Sequence, residues 1–159
     1  MIATDVRILP IAADHPGLQA LLEESDRLMA SLYPAESNHL TDARALALPH
    51  VTLLGVLVGG QLAGCGALVR RDRQHAELKR MFIAPAHRGR GFARQLLHAL
   101  EKVARAERLT MQLETGIHQP EAIALYRSFG FVEVGPFGDY GADPLSLFMA
   151  KPFQAVPAS

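Results

Sequence analysis

The most constraining segment of the sequence is residues 83–97, IAPAHRGRGFARQLL. It follows an apolar, strand-like run, continues through Pro85, and places Gly89 and Gly91 directly before a stretch with helical periodicity. Glycines let a backbone approach a ligand closely, and the first turn of a helix presents unpaired N–H groups and the positive end of its dipole. The segment therefore predicts a strand, loop and helix that together bind an anion.

Other phosphate and metal sites fit the sequence less well. A dinucleotide-binding fingerprint needs a third glycine where Arg94 stands, and the Gly-Lys-Ser/Thr of a P-loop is missing from the chain. The seven histidines are scattered, and none forms the i, i+4 pair of a helical zinc site. We therefore expect an anion site of another kind and no metal.

Hydrophobic periodicity predicts the element order β, α, α, β, β, β, α, β, α, β, β. Because the sequence shows no internal repeat or linker, residues 1–159 are expected to form a single domain. The predicted strands are 6–9, 51–58, 62–69, 76–83, 110–115, 131–134 and 145–149, and the predicted helices start near residue 14, near residue 40, at residue 91 and at residue 120.

Two motifs in this order resemble the GNAT N-acetyltransferase family. Residues 88–93, RGRGFA, resemble its acetyl-CoA motif, Gln/Arg-x-x-Gly-x-Gly/Ala, and residues 122–131 resemble a second signature in which a helix carrying a tyrosine ends at Gly-Phe. The resemblance implies an α/β (α+β) fold, with a mixed, mostly antiparallel central sheet of about seven strands flanked by about four helices. Residues 34–39, 64–68, 113–116 and 136–149 are further similar to a bacterial subgroup whose acceptor is not established.

The resemblance also implies how acetyl-CoA, the cosubstrate, is bound. Backbone N–H groups of the loop would hold the pyrophosphate, the edge of the preceding strand would pair with the pantetheine arm, and one N–H there would stabilise the oxyanion. Gln119 stands where the family often has Asn and could still bond to the cofactor. The implied cofactor residues are Met81, Phe82, Ile83, Arg88, Gly89, Arg90, Gly91, Phe92, Ala93, Gln119 and Tyr126.

The family's chemistry suggests two catalytic residues. Glu77 matches the position of a general base in several members, and Tyr126 matches a tyrosine that protonates the leaving thiolate. Each has a structural alternative, since Glu77 could be a strand residue paired with an arginine and Tyr126 a core aromatic. Cys65 is expected to be a small buried residue and not a nucleophile.

Two polar segments are the candidates for the acceptor pocket. Glu36 and Asp139 could hold a cationic amine, although the Ser, Asn and Asp residues around them are equally suited to turns and caps. The full candidate set is Tyr33, Glu36, Ser37, Asn38, His39, Asp139 and Tyr140.

Charge and cysteine content limit the remaining functions. Sixteen basic and sixteen acidic residues give a formal net charge of zero, so neither nucleic acid nor a membrane surface is an expected partner. A single cysteine and no recognisable signal peptide favour the cytoplasm. The resemblance implies direct acetylation of a primary amine, most simply of a small molecule; the alternatives are a non-catalytic acyl-CoA-binding module or a protein or peptide acetyltransferase. A homodimer is left open.

Overall fold

The computed structural model of the chain describes residues 5–155. These residues form seven strands and four α-helices in the order expected from the sequence. The strands are β1 (Val6–Pro10), β2 (Val51–Val58), β3 (Gln61–Arg70), β4 (His75–Ile83), β5 (Thr110–Gly116), β6 (Val132–Val134) and β7 (Ser146–Lys151); the helices are α1 (Leu18–Leu32), α2 (Ala43–Leu46), α3 (Phe92–Ala106) and α4 (Pro120–Ser128).

The strands form one mixed sheet of order β1-β2-β3-β4-β5-β7-β6. Strands β4 and β5 run parallel and are joined through α3, whereas the other neighbouring strands are antiparallel. The expected fold class, a mostly antiparallel sheet of seven strands with four flanking helices, is confirmed. The position of β7 between β5 and β6 was not predicted.

The β4–β5 pairing stops halfway along β4. It runs from His75↔Thr110 to Leu78↔Leu113, after which β4 continues to Ile83 without β5 beside it. Because the two strands part there, a wedge-shaped cleft opens between the second half of β4 and the end of β5.

Helices cover the sheet on both faces and create two cores. The larger core is built around the apolar stripe of α3, in which Leu96, Leu97 and Leu100 are fully buried, and it includes Tyr126 of α4. The second core joins α1 and α2 to the opposite face through residues such as Leu18 and Leu22. Helix α2 is shorter than predicted: it starts only after Asp42, whose carboxylate accepts from Ala45 N–H (2.9 Å), and it ends after one turn at Leu46.

A bulge interrupts β4 at Arg80. Ala67 pairs with Lys79 and Cys65 with Phe82, so the single residue between them on β3 lies opposite two residues of β4. Leu78 therefore faces the α3 core whereas Phe82 faces the α1–α2 core, although strict alternation would place both on one face. Arg80 has a positive φ of 58°, a left-handed conformation that costs a non-glycine residue about 1–2 kcal/mol.

No helix within residues 5–155 combines the length and apolar character needed to cross a bilayer.

Candidate active site

The loop before α3 is an open backbone cradle. Gly89 and Gly91 have φ of 76° and 80°, and a Cβ added at either would meet no atom within 4 Å. Gly91 is the N-cap of α3 and no side chain of the described residues caps that end. The first turn of α3 therefore starts without a side-chain cap beside open space, as an anion site requires.

The arginines of this loop lie to the side of the cradle. Arg88 turns back to donate to the Ile83 carbonyl (3.0 Å) and stacks on Phe82, and Arg90 lies over the Phe92 ring at 4.8 Å. Both guanidinium groups therefore contact other groups of the protein beside the loop.

The cleft between β4 and β5 collects most of the predicted catalytic and acceptor residues. Lys79 and Glu114 are the first residues of the two strands beyond the last parallel pair, and both line the cleft. The predicted residues that line it are Tyr33, Ser37, Asn38, His39, Glu77, Met81, Gln119, Tyr126 and Tyr140.

Other predicted residues lie apart from this cleft. Phe82 and Ile83 are buried in the two cores, and their backbone continues the free edge of β4. Glu36 is exposed and does not contribute to the cleft lining, whereas Asp139 lines an adjoining cavity that shares His39, Lys79 and Tyr140 with it. Glu36 and Asp139 are therefore not brought together around one cationic group.

Glu77 is the centre of a buried polar cluster. Its side chain is 2% exposed; Oε1 accepts from Arg71 Nη1 at 2.6 Å, and Oε2 accepts from the Tyr140 hydroxyl at 2.5 Å. Lys79 Nζ donates to the same hydroxyl at 2.9 Å. Both oxygens of Glu77 are thus engaged, and taking a proton from an amine would require one of these bonds to break.

Tyr126 extends from α4 into the cleft and packs edge-on against Phe131. Burial, together with the nearby negative charge of Glu114, raises the pKa of Tyr126 to about 12. The phenol therefore remains protonated at any pH at which the enzyme would work, which is the state a proton donor requires.

Glu114 is a cleft carboxyl that the sequence analysis did not select. Burial raises its pKa above the usual glutamate range, against the opposing effect of the hydrogen bond that Ser146 Oγ donates at 3.1 Å. The alternation of polar and apolar residues in β5 could have indicated it, because Gln112 and Glu114 lie on one face of the strand and the buried Met111 and Leu113 on the other. A partly desolvated carboxyl in a cleft is a recognised candidate for proton transfer.

Several predicted acceptor residues have structural contacts of their own. The Tyr33 hydroxyl accepts from the His118 backbone N–H (3.0 Å) and the two rings stack, while Ser37 donates to Asp143 (2.6 Å). His39 contacts Tyr140 edge-on. These contacts fix one wall of the cleft. No group of three or more His, Cys, Asp or Glu residues that could hold a metal ion occurs within residues 5–155.

Comparison with known proteins identifies the family. The model of the acetyltransferase (GNAT) family matches residues 18–131. The chain belongs to the GNAT acetyltransferase family. A relative, the IAA acetyltransferase of Azospirillum brasilense, is 50% identical over 134 residues, covering 83% of this chain and 88% of the relative.

Solved GNAT-like structures agree with this assignment. A Klebsiella pneumoniae protein assigned as an acyl-CoA N-acyltransferase superposes with a TM-score of 0.79 at 37% identity, covering 94% of this chain and 98% of that one. The PaiA N-acetyltransferase of Thermoplasma acidophilum, solved with coenzyme A, shares the fold, with a TM-score of 0.74, 18% identity and coverage of 94% and 99%. The chain is accordingly an acetyl-CoA-dependent acyltransferase, as the sequence predicted.

The chain's residues fit that cosubstrate. The glycine cradle before α3 has room for a pyrophosphate against backbone N–H groups, and the free edge of β4 leads from the cradle toward Tyr126. When bound, acetyl-CoA supplies the activated acyl group, and the protein supplies hydrogen-bond donors and proton carriers around it.

Proposed function

We propose that this enzyme transfers the acetyl group of acetyl-CoA directly to a primary amine of a small molecule. The pyrophosphate lies on N–H groups of residues 89–93, since the Arg88 N–H already donates to the Pro85 carbonyl at 3.3 Å, and the pantetheine arm follows the free edge of β4 along residues 81–83. The observation that carries the proposal is the cleft itself, in which this edge meets Tyr126 and Glu114. The name of the Azospirillum relative supports a small-molecule acceptor over a peptide.

The proposed reaction needs one base and one acid. Glu114 takes a proton from the ammonium, the free amine attacks the thioester carbon, and a backbone N–H of β4 stabilises the oxyanion. The C–S bond then breaks and Tyr126 protonates the departing sulfur, while the second proton, which the nitrogen loses as it becomes an amide, returns through solvent to the Tyr126 phenolate. Because a thiol with a pKa near 8.5 is a stronger acid than this phenol, whose pKa is about 12, the transfer to sulfur requires the coupled loss of the second amine proton.

Glu114 suits the role of base better than Glu77. A raised pKa brings a carboxyl closer to neutrality, which increases its strength as a base at working pH. Glu77 is surrounded by a guanidinium, an ammonium and a phenol, and we assign it the task of fixing Tyr140 and Lys79 in the acceptor wall. Glu77 as the base remains the alternative.

Cys65 supports a cytoplasmic location. It is fully buried, and the chain has no second cysteine with which it could form a disulfide.

The test is thiol release from acetyl-CoA with a panel of small amines and of peptides. Wild type should release thiol with at least one small amine, and Glu114→Gln should lower kcat by roughly 10²- to 10⁴-fold, with partial rescue at high pH where the free amine is abundant. Glu77→Gln should act mainly on the KM for the amine. Glu133→Gln, an exposed change on β6, is the matched control and should behave as wild type.

Three results would contradict parts of this proposal. Near wild-type turnover of Glu114→Gln, with a large loss in Glu77→Gln, would return the base to Glu77. Release with peptides alone would replace the small-molecule acceptor. Tight acetyl-CoA binding without release by any amine would indicate a binding module.

A further inference from the structure

The β4 bulge places an arginine in a backbone conformation that usually favours glycine. Glycine adopts a positive φ without steric cost, yet this position holds Arg80, with φ of 58° and a side chain only 4% exposed. A buried guanidinium must be satisfied by partners. The partners of Arg80 therefore indicate what an arginine provides here that a glycine could not.

Three separate parts of the chain hold Arg80. Its Nη1 donates to Asp26 Oδ1 of α1 at 2.5 Å, and its Nε donates to the carbonyl of Thr41, ahead of α2, at 2.6 Å. Its own carbonyl, displaced from the β3 ladder by the bulge, accepts from the thiol of Cys65 at 3.3 Å. Burial raises the pKa of Cys65 to about 12, so this thiol keeps the proton it donates.

The tethered segment lies at the point where the cleft opens. Pairing of β4 with β5 ends at Leu78, and pairing with β3 is regular again from Phe82. Arg80 lies between these positions, directly before the strand edge assigned to the pantetheine arm. Thr41 belongs to the opposite, acceptor-side wall of the same cleft.

We propose that Arg80 is a positioning residue for acetyl transfer. Through Asp26 and Thr41 it fixes the bulge, and thereby the direction of the β4 N–H groups that meet the thioester carbonyl. It fixes the acceptor-side wall at the same time, so both substrates are aligned by one side chain. The inference rests on the cofactor placement in the proposed function.

Two variants remove the tether in different ways. Arg80→Gly keeps the bulge conformation accessible but deletes the guanidinium, and Asp26→Ala deletes its carboxylate partner on α1. The matched control is Glu107→Ala, which removes the bidentate Arg70–Glu107 pair (both bonds 2.5 Å) at the C-terminal end of β3. All three variants lose an ion pair, but only the first two lose one at the cleft.

The first readout requires no acceptor. The infrared carbonyl band of acetyl-CoA labelled with ¹³C at the acetyl carbonyl should shift to lower frequency on binding to wild type, because an aligned N–H polarises the carbonyl. The shift should be reduced in Arg80→Gly and in Asp26→Ala and retained in Glu107→Ala. Acetyl-CoA affinity should change less than threefold in all of them, since the loop before α3 is intact.

The second readout is turnover with an amine that wild type accepts. Both tether variants should lose about 10- to 100-fold in kcat, as expected for misaligned reactants. The double variant should be no slower than the slower single variant, because the two side chains act as a unit. Glu107→Ala should keep wild-type kcat with a lower Tm.

Opposite results overturn the proposal. If Arg80→Gly and Asp26→Ala lower Tm as Glu107→Ala does but keep the wild-type carbonyl band and kcat, Arg80 is only structural. If the carbonyl band of acetyl-CoA does not shift when acetyl-CoA binds to wild type, both the proposal and the assigned position of the thioester are overturned. If no amine causes thiol release, the proposed acceptor fails, and the carbonyl band still decides the role of Arg80.

Discussion

Replacing Gly91 with alanine separates cofactor binding from stability. Gly91 has φ of 80°, and a Cβ added there meets no protein atom within 4 Å. The new methyl group would therefore clash with nothing in the free protein and would project into the open cradle. Gly60, in the β2–β3 turn, has φ of 83° and equally open surroundings, which makes Gly60→Ala a matched control away from the site.

The two substitutions should cost similar stability. Placing alanine in a left-handed conformation costs about 1–2 kcal/mol, and at about 2–4 °C per kcal/mol for a domain of this size, each variant should melt roughly 2–8 °C below wild type. At a concentration of 100 times its Kd, acetyl-CoA adds about 2.7 kcal/mol, or roughly 5–11 °C in Tm. Gly60→Ala should keep that gain, and Gly91→Ala should lose most of it.

The assay is thermal unfolding of the three proteins with and without acetyl-CoA, supported by calorimetric Kd values. Arg90→Ala should retain most of the ligand-induced shift, because the Arg90 side chain lies over Phe92 beside the cradle. Equal ligand-induced shifts in Gly91→Ala and Gly60→Ala would refute binding by close backbone approach. So would loss of binding in Arg90→Ala with normal binding in Gly91→Ala.

Three further outcomes follow from the pKa shifts. Tyr126→Phe should slow turnover by roughly 10²- to 10⁴-fold without rescue at high pH, because burial keeps the pKa of Tyr126 at about 12. An acyl donor with a more acidic thiol should restore the rate of the variant. Full rescue of the variant at high pH would contradict the role of Tyr126 as the acid. Because burial raises the pKa of Glu114, the contribution of Glu114 to stability is complete at low pH and is lost as pH rises through the raised pKa. Glu114→Gln should therefore match the Tm of wild type in acid and exceed it at neutral pH. A difference in Tm that stays constant with pH would contradict this reasoning. Cys65, buried and with a pKa of about 12, should react with iodoacetamide only as the chain unfolds, and acetyl-CoA should slow that labelling; rapid labelling of the native protein would show that Cys65 is accessible.

Local patterns were sufficient to predict the elements of the fold. The apolar stripe of α3, the glycine turn between β2 and β3, and the alternation of β5 are properties of neighbouring residues, and each element formed where its pattern predicted. The placement of β7 between β5 and β6 depends instead on pairing between distant segments, which periodicity does not encode. The hydrogen-bond partners of Arg80 at the bulge, Asp26 and Thr41, are likewise distant from it in the sequence.

The same division applies to the site. The cradle before α3 could be predicted because it uses backbone groups, whose position follows from glycine spacing and the start of a helix. The environment of Glu77 could not, because its phenol partner, Tyr140, is 63 residues away in the sequence. Glu114 was missed for a related reason, since its raised pKa arises from burial by several elements and not from its neighbours in the chain.

The contrast between Glu77 and Glu114 explains how one face of the sheet can provide both support and chemistry. Glu77 lies where β4 and β5 are still paired, and cationic and phenolic groups occupy its oxygens. Glu114 comes one residue after the last pair, where the strands have separated, and the hydrogen bond it receives is from the neutral hydroxyl of Ser146. A carboxyl can accept a proton from a substrate only if a lone pair faces the space where the substrate lies. The divergence of β4 and β5 opens such a space beside Glu114 and Tyr126, so in the proposed reaction the end of strand pairing is what leaves Glu114, and not Glu77, available as the base.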